Sequence, residues 1–146
     1  MLDNTIGFHP GLSSLILRLV LGYIFIVHGY RKLFKKEFGL QGFALSLNEV
    51  GSPVPSTLAP IIGSLEFLGG LFLIAGVFTR IVALALATNT VIAVWKSKLK
   101  TGLVLKVTEG ATVGGYEFEL ALCAMTLVLA LISAGRFSID YFLLTR

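Results

Sequence analysis

Six polar side chains interrupt the apolar stretches of this sequence, and their types are those that bind ligands or carry protons. They are Arg18, His28, Lys32, Glu66, Asn89 and Glu119. Charged groups within apolar segments are rare because burial without a partner is costly, so they pair with one another or mark a functional site. The cations and the amide can donate hydrogen bonds to a carbonyl, and glutamate or histidine can take up a proton. The six residues are therefore the candidate ligand-binding polar core.

The composition of the chain indicates that these residues lie in a membrane protein. The 146 residues are 55% hydrophobic and 14% charged, and the mean hydropathy is +0.89. A soluble domain of this size could not cover so much apolar surface with so few charges, so the predicted solvent is the lipid bilayer. The net charge of +4 suits anionic head groups. The lysines flank apolar runs and form no basic face, so nucleic acid is not an expected partner.

The apolar runs predict an all-α fold, an integral membrane up-down four-helix bundle in a single domain of residues 1–146. The predicted helices cover residues of about 12–34, 57–78, 79–96 and 116–134. Short connections favour antiparallel neighbours, which gives the up-down order. Residues 41–50 are expected to form a short interfacial helix, and residues 102–115 a hairpin or an irregular loop.

Each predicted helix carries one stripe of small and polar residues. The stripes are Arg18, Gly22, Phe25, Gly29 and Lys32 with His28 at the margin; Gly63, Glu66, Gly70 and Leu73; Ala85, Asn89, Ala93 and Lys96; and Glu119, Cys123, Thr126, Ala130 and Ser133. Small residues let helices approach closely in lipid, so the stripes are expected to face inward. In that arrangement Arg18 should reach Glu66, and Glu119 should pair with Lys32 or His28. Such contacts suit a ligand or proton site, and they equally suit ion pairs that fix helix register.

The distribution of cations predicts the orientation. The first and third loops, with their helix ends, carry Arg31, Lys32, Lys35, Lys36, Lys96, Lys98, Lys100 and Lys106, whereas the opposite side carries Arg80, Arg136 and Arg146. Positive charge accumulates on the cytoplasmic side, so both termini are expected outside. Residues 1–11 lack the basic region of a secretory signal and are expected to stay in the mature chain.

Sequence motifs for other chemistry are missing from the chain. It has one cysteine, Cys123, and no HExxH, CxxC, P-loop or dinucleotide-binding motif. The second histidine, His9, precedes the first predicted helix, so bis-histidine haem is not expected. No metal site, intrinsic cofactor or catalytic residue is predicted, and Cys123 is interpreted as a packing residue.

Several segments resemble the DoxX family of small four-helix membrane proteins. They are "RLVLGYIFIVHGYRKLF", "GSPVP", "EFLGGLFLIAGVFTR", "GGYEFEL" and "GRFSID", within residues 18–140. The family's recurrent positions correspond here to Arg18, Gly22, Phe25, Gly29, Lys32, Glu66, Gly69, Gly70, Gly76, Thr79, Arg80, Gly115, Glu117, Gly135, Arg136, Ser138 and Asp140. The resemblance includes Glu117, although the helical wheel turns it about 200° away from Glu119.

The resemblance implies a protein of the prokaryotic cytoplasmic membrane that works with quinones or with partners handling oxidants or sulfur compounds. The leading interpretation is a membrane subunit of an oxidoreductase complex that binds a quinone or docks a redox or sulfur-handling partner through its polar core. In a quinone site, Phe25 would lie against the ring, and core residues would serve as donors or proton relays. A small-solute transporter and a non-catalytic anchoring or assembly subunit are the alternatives. Protein partners or a homo-oligomer are expected in each case, and the sequence does not decide whether the chain is an enzyme.

Overall fold

The structure is a computed structural model, and it describes residues 10–99, 102–104, 106–108, 111–113 and 115–145. The predictions made for residues 1–9, including His9, lie outside these ranges. The same holds for Lys100, Arg146 and the turn at 109–110.

Within the described residues the chain forms six α-helices and one short β-hairpin. The helices are α1 (Pro10–Phe34), α2 (Gly39–Glu49), α3 (Pro55–Ala75), α4 (Thr79–Ala93), α5 (Glu117–Ile132) and α6 (Ile139–Leu144). A π-helical turn, Val94–Lys98, continues α4. Strands β1 (Lys106–Thr108) and β2 (Ala111–Val113) pair antiparallel, which gives the predicted hairpin. The all-α class is therefore confirmed, whereas α6 was not predicted.

Left-handed residues set the helix ends that differ from the sequence-based boundaries. Helix α3 ends at Ala75, not at residue 78, because Gly76 adopts φ +70° and its N–H donates to Phe72 O at 2.8 Å and Leu73 O at 3.1 Å. Phe78 is also left-handed, at φ +47°, so α3 turns into α4 within three residues. Helix α5 ends at Ile132 because Ser133 has φ +67°.

The four long helices pack so that each runs antiparallel to its neighbours. The tight connection at residues 76–78 makes α3 and α4 antiparallel, and α4 also packs along α5. The start of α1 contacts the end of α5, where Ser14 Oγ donates to Ser133 O at 2.6 Å. The later part of α1 contacts the start of α5, where the rings of His28 and Phe118 stack with centroids 6.1 Å apart.

Glycines bring the backbones of α1 and α3 into direct contact. A Cβ atom at Gly29 would lie 2.8 Å from Gly63 O, and one at Gly70 would lie 2.6 Å from Gly22 O. Real Cβ contacts essentially never fall under 3.0 Å, so any side chain there would force the helices apart. The glycines of the predicted stripes therefore face the neighbouring helix, as expected for close packing in lipid.

The inward-facing stripes are confirmed for α1 and α3. On α4 the prediction holds for Asn89, which donates to Glu66, and is wrong for Ala93 and Lys96. Arg18, Gly22, Phe25 and Gly29 of α1 are buried, and so are Gly63, Glu66, Gly70 and Leu73 of α3. Helix α4 instead buries Thr79, Ala83, Leu86, Ala87 and Thr90. Ala93 and Lys96 are exposed. The reason is that Gly69 of α3 has no side chain, which leaves space for the large side chain of Leu86.

Two helices among the described residues are long and apolar enough to cross a membrane. They are α1, over residues 11–34 with mean hydropathy 1.8, and α3, over residues 55–75 with mean hydropathy 1.9. Helix α4 has 15 residues before its π-helical turn, and α5 has 16. The outer faces of all four helices expose large apolar side chains, such as Ile16, Ile61, Ile81 and Leu131. That outer surface has the composition of a lipid-facing surface.

Candidate functional site

A buried carboxylate joins three helices near the middle of the bundle. Glu66 on α3 is 5% exposed. Its Oε1 accepts hydrogen bonds from Lys32 Nζ of α1 at 2.6 Å and from Asn89 Nδ2 of α4 at 2.8 Å. Its Oε2 is also buried and has no hydrogen-bond partner among the described residues. The carboxylate is thus fixed through one oxygen, and the other remains available as an acceptor.

Local sequence explains why these three side chains meet. Gly63, one turn before Glu66, lets α1 approach so closely that Lys32 Cβ lies 3.6 Å from the position of a Cβ at this glycine. Glu66 and Asn89 lie roughly three helical turns from the tight α3–α4 connection, one on each side of it, so they stand at the same level.

Lys32 is held from two sides. Its Nζ forms the ion pair with Glu66 and also lies 4.7 Å from the ring centroid of Phe43 on α2. Its side chain is 20% exposed. A cation that is partly withdrawn from water gains from both the carboxylate and the aromatic face. Helix α2 therefore covers the lysine at the end of α1.

His28 and Glu119 extend the cluster toward α5. The His28 ring stacks against Phe118 with an interplanar angle of 18°. The charges of Glu66, Lys32, Arg31 and Glu119 all act on its imidazole. His28 is therefore half-buried among charged side chains of both signs, and an imidazole can take up and release a proton.

Arg18 does not belong to this cluster, so the predicted Arg18–Glu66 contact is wrong. Lys32 follows Arg18 by 14 positions, which separates the two by about 21 Å along a helix of 1.5 Å rise. Because α1 and α3 are antiparallel, Glu66 stands at the level of Lys32, and Arg18 lies beside Gly76. Lys32 forms its ion pair with Glu66, whereas the pairing of Glu119 with Lys32 or His28 stays a prediction.

Arg18 instead ties the C-terminal segment to the opposite end of the bundle. Arg18 is 1% exposed, and its guanidinium group donates to Ala134 O at 2.9 Å and to Phe137 O at 2.5 Å. The charge of Asp140 also acts on it. The backbone carbonyls are thus satisfied by a buried cation, which indicates a structural role for Arg18.

Asp140 connects the same segment to the start of α4. Its Oδ1 accepts from Phe78 N at 2.8 Å and its Oδ2 from Thr79 N at 2.9 Å, while its own N–H donates to Gly76 O at 2.9 Å. The carboxylate therefore caps the N-terminus of α4 from a distant part of the chain. Residue patterns identified Asp140 only through the family resemblance, because long-range capping leaves no local spacing signal.

The remaining predicted positions lie outside the cluster. Arg80, Glu117 and Arg136 are exposed, and Gly22, Gly29, Gly69 and Gly70 serve close packing. Phe25 is 3% exposed within the apolar core formed with Leu21, Leu73 and Leu86. It is therefore enclosed by side chains of the core and is poorly placed to contact a ligand ring.

Comparison with known proteins adds a family and one relative. The model of the DoxX family matches residues 13–98 of this chain. A protein of Bacillus subtilis (strain 168) named "Putative oxidoreductase CatD" is 30% identical over 131 residues, which cover 90% of this chain and 87% of that protein. No solved structure matches the chain. The family match includes Lys32, Glu66 and Asn89, whereas Glu119 and Asp140 lie beyond it.

Proposed function

This chain belongs to the DoxX family of membrane proteins, and from that premise we propose that it is an integral four-helix membrane subunit of an oxidoreductase complex whose polar core binds a quinone. The core consists of His28, Lys32, Glu66, Asn89 and Glu119. The name of the Bacillus subtilis relative supports the redox assignment, and the apolar outer faces of the helices support the membrane assignment.

The proposed orientation places both termini outside the prokaryotic cytoplasmic membrane. Arg31, Lys35 and Lys36 cluster at the exposed end of α1, and Lys96 follows α4 at the same end of the bundle. Such cations retain the adjoining loops on the cytoplasmic side. The Lys32–Glu66 pair then lies on the cytoplasmic side of the centre, and Arg18 lies in the outer half.

The observation that carries the proposal is the half-satisfied carboxylate of Glu66. Its Oε2 can accept a hydrogen bond from a hydroxyl group, while the ammonium group of Lys32 can donate to a carbonyl oxygen. A reduced quinone presents hydroxyl groups and an oxidised one presents carbonyl groups, so the residues fit both forms. When bound, the quinone supplies a two-electron carrier, and a separate partner protein exchanges electrons with it.

The chain itself supplies orientation and proton exchange. Lys32 and Asn89 hold Glu66 Oε1 from two sides, so the position of the free oxygen is fixed before a ligand arrives. Burial excludes water from this oxygen, which strengthens its interaction with a ligand hydroxyl. His28, in the field of both Glu66 and Glu119, is the residue that would move a proton between α3 and α5.

The test measures the melting temperature of the purified protein in lipid nanodiscs with and without decylubiquinone. A ligand at 100 times its Kd stabilises the folded state by about 2.7 kcal/mol, so the wild-type Tm should rise. Glu66→Gln should lose this rise. Glu37→Gln is the matched control, because it makes the same change at a carboxylate whose side chain is 86% exposed, and it should keep the rise.

The same measurement separates the alternatives. Absence of a Tm rise in the wild type contradicts the quinone proposal. A Glu66→Gln variant that has a lower Tm but keeps the quinone response indicates an anchoring or assembly subunit whose core is structural. Solute uptake into proteoliposomes that is lost in Glu66→Gln, without a quinone response, indicates a transporter.

A further inference from the structure

A cavity of about 380 Å³ lies between the end of α4 and the start of α5. Its lining consists of Thr90, Val91, Val94, Trp95, Leu99, Tyr116, Glu119, Leu120 and Cys123. Small-molecule sites in proteins have volumes of roughly 300–1,000 Å³, so this cavity is large enough for one substituted ring. Glu119 of the polar core described above lies in its wall.

The π-helical turn Val94–Lys98 shapes one side of the cavity. In this turn Leu99 N donates to Val94 O at 3.1 Å, which widens the end of α4. Such turns occur frequently at functional sites. The turn places Trp95 at the rim, where the residue is 67% exposed and Lys96 Nζ lies 5.6 Å from the ring centroid. The π-helical turn thus forms part of the cavity wall.

The cavity opens sideways, toward the surface that lipid would cover. Val91, Leu99 and Leu120 at its rim are all more than half exposed, whereas Thr90 at its floor is 5% exposed. A compound dissolved in the bilayer can therefore enter between α4 and α5 without crossing the aqueous phase. A long apolar tail could remain in lipid while the ring occupies the cavity.

The side chains that line the cavity determine which kind of ligand ring fits it. Trp95 and Tyr116 provide aromatic surface, and the apolar residues provide the remainder. Among the described lining residues Glu119 is the one carboxylate, and a carboxylate accepts hydrogen bonds from a hydroxyl group. Cys123 follows Glu119 by one helical turn and lies on the same face of α5. A flat apolar ring with a hydroxyl substituent matches these features.

The cavity also borders the polar core. Thr90 at the floor is the next residue after Asn89, whose amide binds Glu66. On the other wall, the charge of Glu119 acts on His28. The cavity and the core therefore share Glu119.

We propose that the α4–α5 cavity holds the ring of a lipid-soluble quinol, which enters laterally and donates a hydroxyl hydrogen bond to Glu119. The choice of a quinol rests on the proposed function, and the cavity adds the place of the ring and its entrance. Cys123 lies against the ring, in the role that sequence analysis gave to Phe25.

The chain provides two built-in probes for a test, since Trp95 is its only tryptophan and Cys123 its only cysteine. Decylubiquinol, the reduced form of decylubiquinone kept under argon, carries the ring hydroxyl groups that the proposal requires, and its fully substituted ring offers no open carbon to the thiol. In nanodiscs it should quench Trp95 fluorescence in a saturable manner and slow the alkylation of Cys123 by N-ethylmaleimide. Quenching by quinol that is merely dissolved in lipid does not saturate.

Variants that fill the cavity should weaken binding. Cys123→Phe is expected to raise the apparent Kd at least tenfold, and Val91→Phe on the opposite wall is the second variant if the first does not fold. Leu68→Phe is the matched control, because Leu68 lines a separate groove between α3 and α4, and its Kd should equal that of the wild type.

The outcomes distinguish this inference from the proposed function. If the wild-type Tm rises with decylubiquinone but both filling variants bind normally and Cys123 alkylation is unchanged, the cavity is not the ring site and the proposed function stands. If the wild type shows neither a Tm rise nor saturable quenching, both are overturned. Loss of binding in either folded filling variant, with protection of Cys123, supports the inference.

Discussion

Lys32 Nζ lies 2.6 Å from Glu66 Oε1, so the last turn of α1 is joined to the middle of α3 by an ion pair withdrawn from water. The same oxygen accepts from Asn89 of α4. Removing one partner of such a pair leaves an uncompensated charge, whereas replacing both can be nearly neutral. The contribution of the pair can therefore be measured by comparing the stability of a single variant with that of the double variant.

Lys32→Met should lower the free energy of unfolding by about 3–5 kcal/mol, because Glu66 would keep a buried charge without its counter-ion. The double variant Lys32→Met/Glu66→Met should recover most of this loss. Denaturant unfolding in detergent micelles measures both. Lys35→Met is the control, since the Lys35–Glu37 pair at 3.7 Å is exposed and should contribute less than about 1 kcal/mol. Similar losses for Lys32→Met and Lys35→Met would contradict the burial of the pair.

Arg18→Met should release the C-terminal segment, because Ala134 O and Phe137 O would lose their donors. Each hydrogen bond to a charged donor contributes about 1.5–3 kcal/mol, so the free energy of unfolding should fall clearly. Limited proteolysis of residues 137–145 should become faster. Arg80→Met, at an exposed arginine, should leave the cleavage rate unchanged. Equal cleavage of the two variants would show that Arg18 does not hold this segment.

Asp140→Ala should destabilise the protein by about 0.5–2 kcal/mol, the range for loss of an N-terminal helix cap. The carboxylate accepts from both Phe78 N and Thr79 N, so Asp140→Asn, with one oxygen acceptor, should cost less than the alanine variant. Thermal unfolding in nanodiscs gives the ranking. An asparagine variant that is at least as destabilised as the alanine variant would argue against the two-acceptor cap.

Gly29→Ala should separate α1 from α3, because the added Cβ would lie 2.8 Å from both Gly63 O and Phe67 Cα. Those are backbone atoms, which cannot move without shifting a helix. Gly69→Ala is the matched control: its Cβ would meet only the flexible end of Leu86 at 3.2 Å. Gly29→Ala should lose several degrees of Tm relative to Gly69→Ala. A larger loss in Gly69→Ala would contradict the contact between α1 and α3.

Helix faces were predictable from the sequence wherever packing depends on residue size. Glycines repeated along α1 and α3 allow close approach, so the buried sides of both helices follow from helical periodicity. The buried face of α4 was not predictable, because its rotation depends on where α3 leaves room for Leu86. The π-helical turn and α6 likewise depend on contacts between distant segments and leave no periodic signal.

Membership of the candidate polar core was more predictable than the pairing within it. Intramembrane charges can be found one helix at a time, and each has few available partners. Pairing also depends on the vertical offset between helices. The α3–α4 connection at residues 76–78 sets that offset, and it brings Glu66 level with Lys32 and leaves Arg18 near Asp140. The left-handed residues in this connection, Gly76 and Phe78, were not evident as such from the sequence.

The central claim is that the Lys32–Glu66–Asn89 core belongs to a quinone site, and mass spectrometry of compounds that copurify from native membranes tests it most directly. The samples are the wild type and the Lys32→Met/Glu66→Met variant, which should remain folded. We expect quinone in stoichiometric amounts with the wild type and its loss from the variant. Equal amounts of quinone in both samples, or none with the wild type, would contradict the claim.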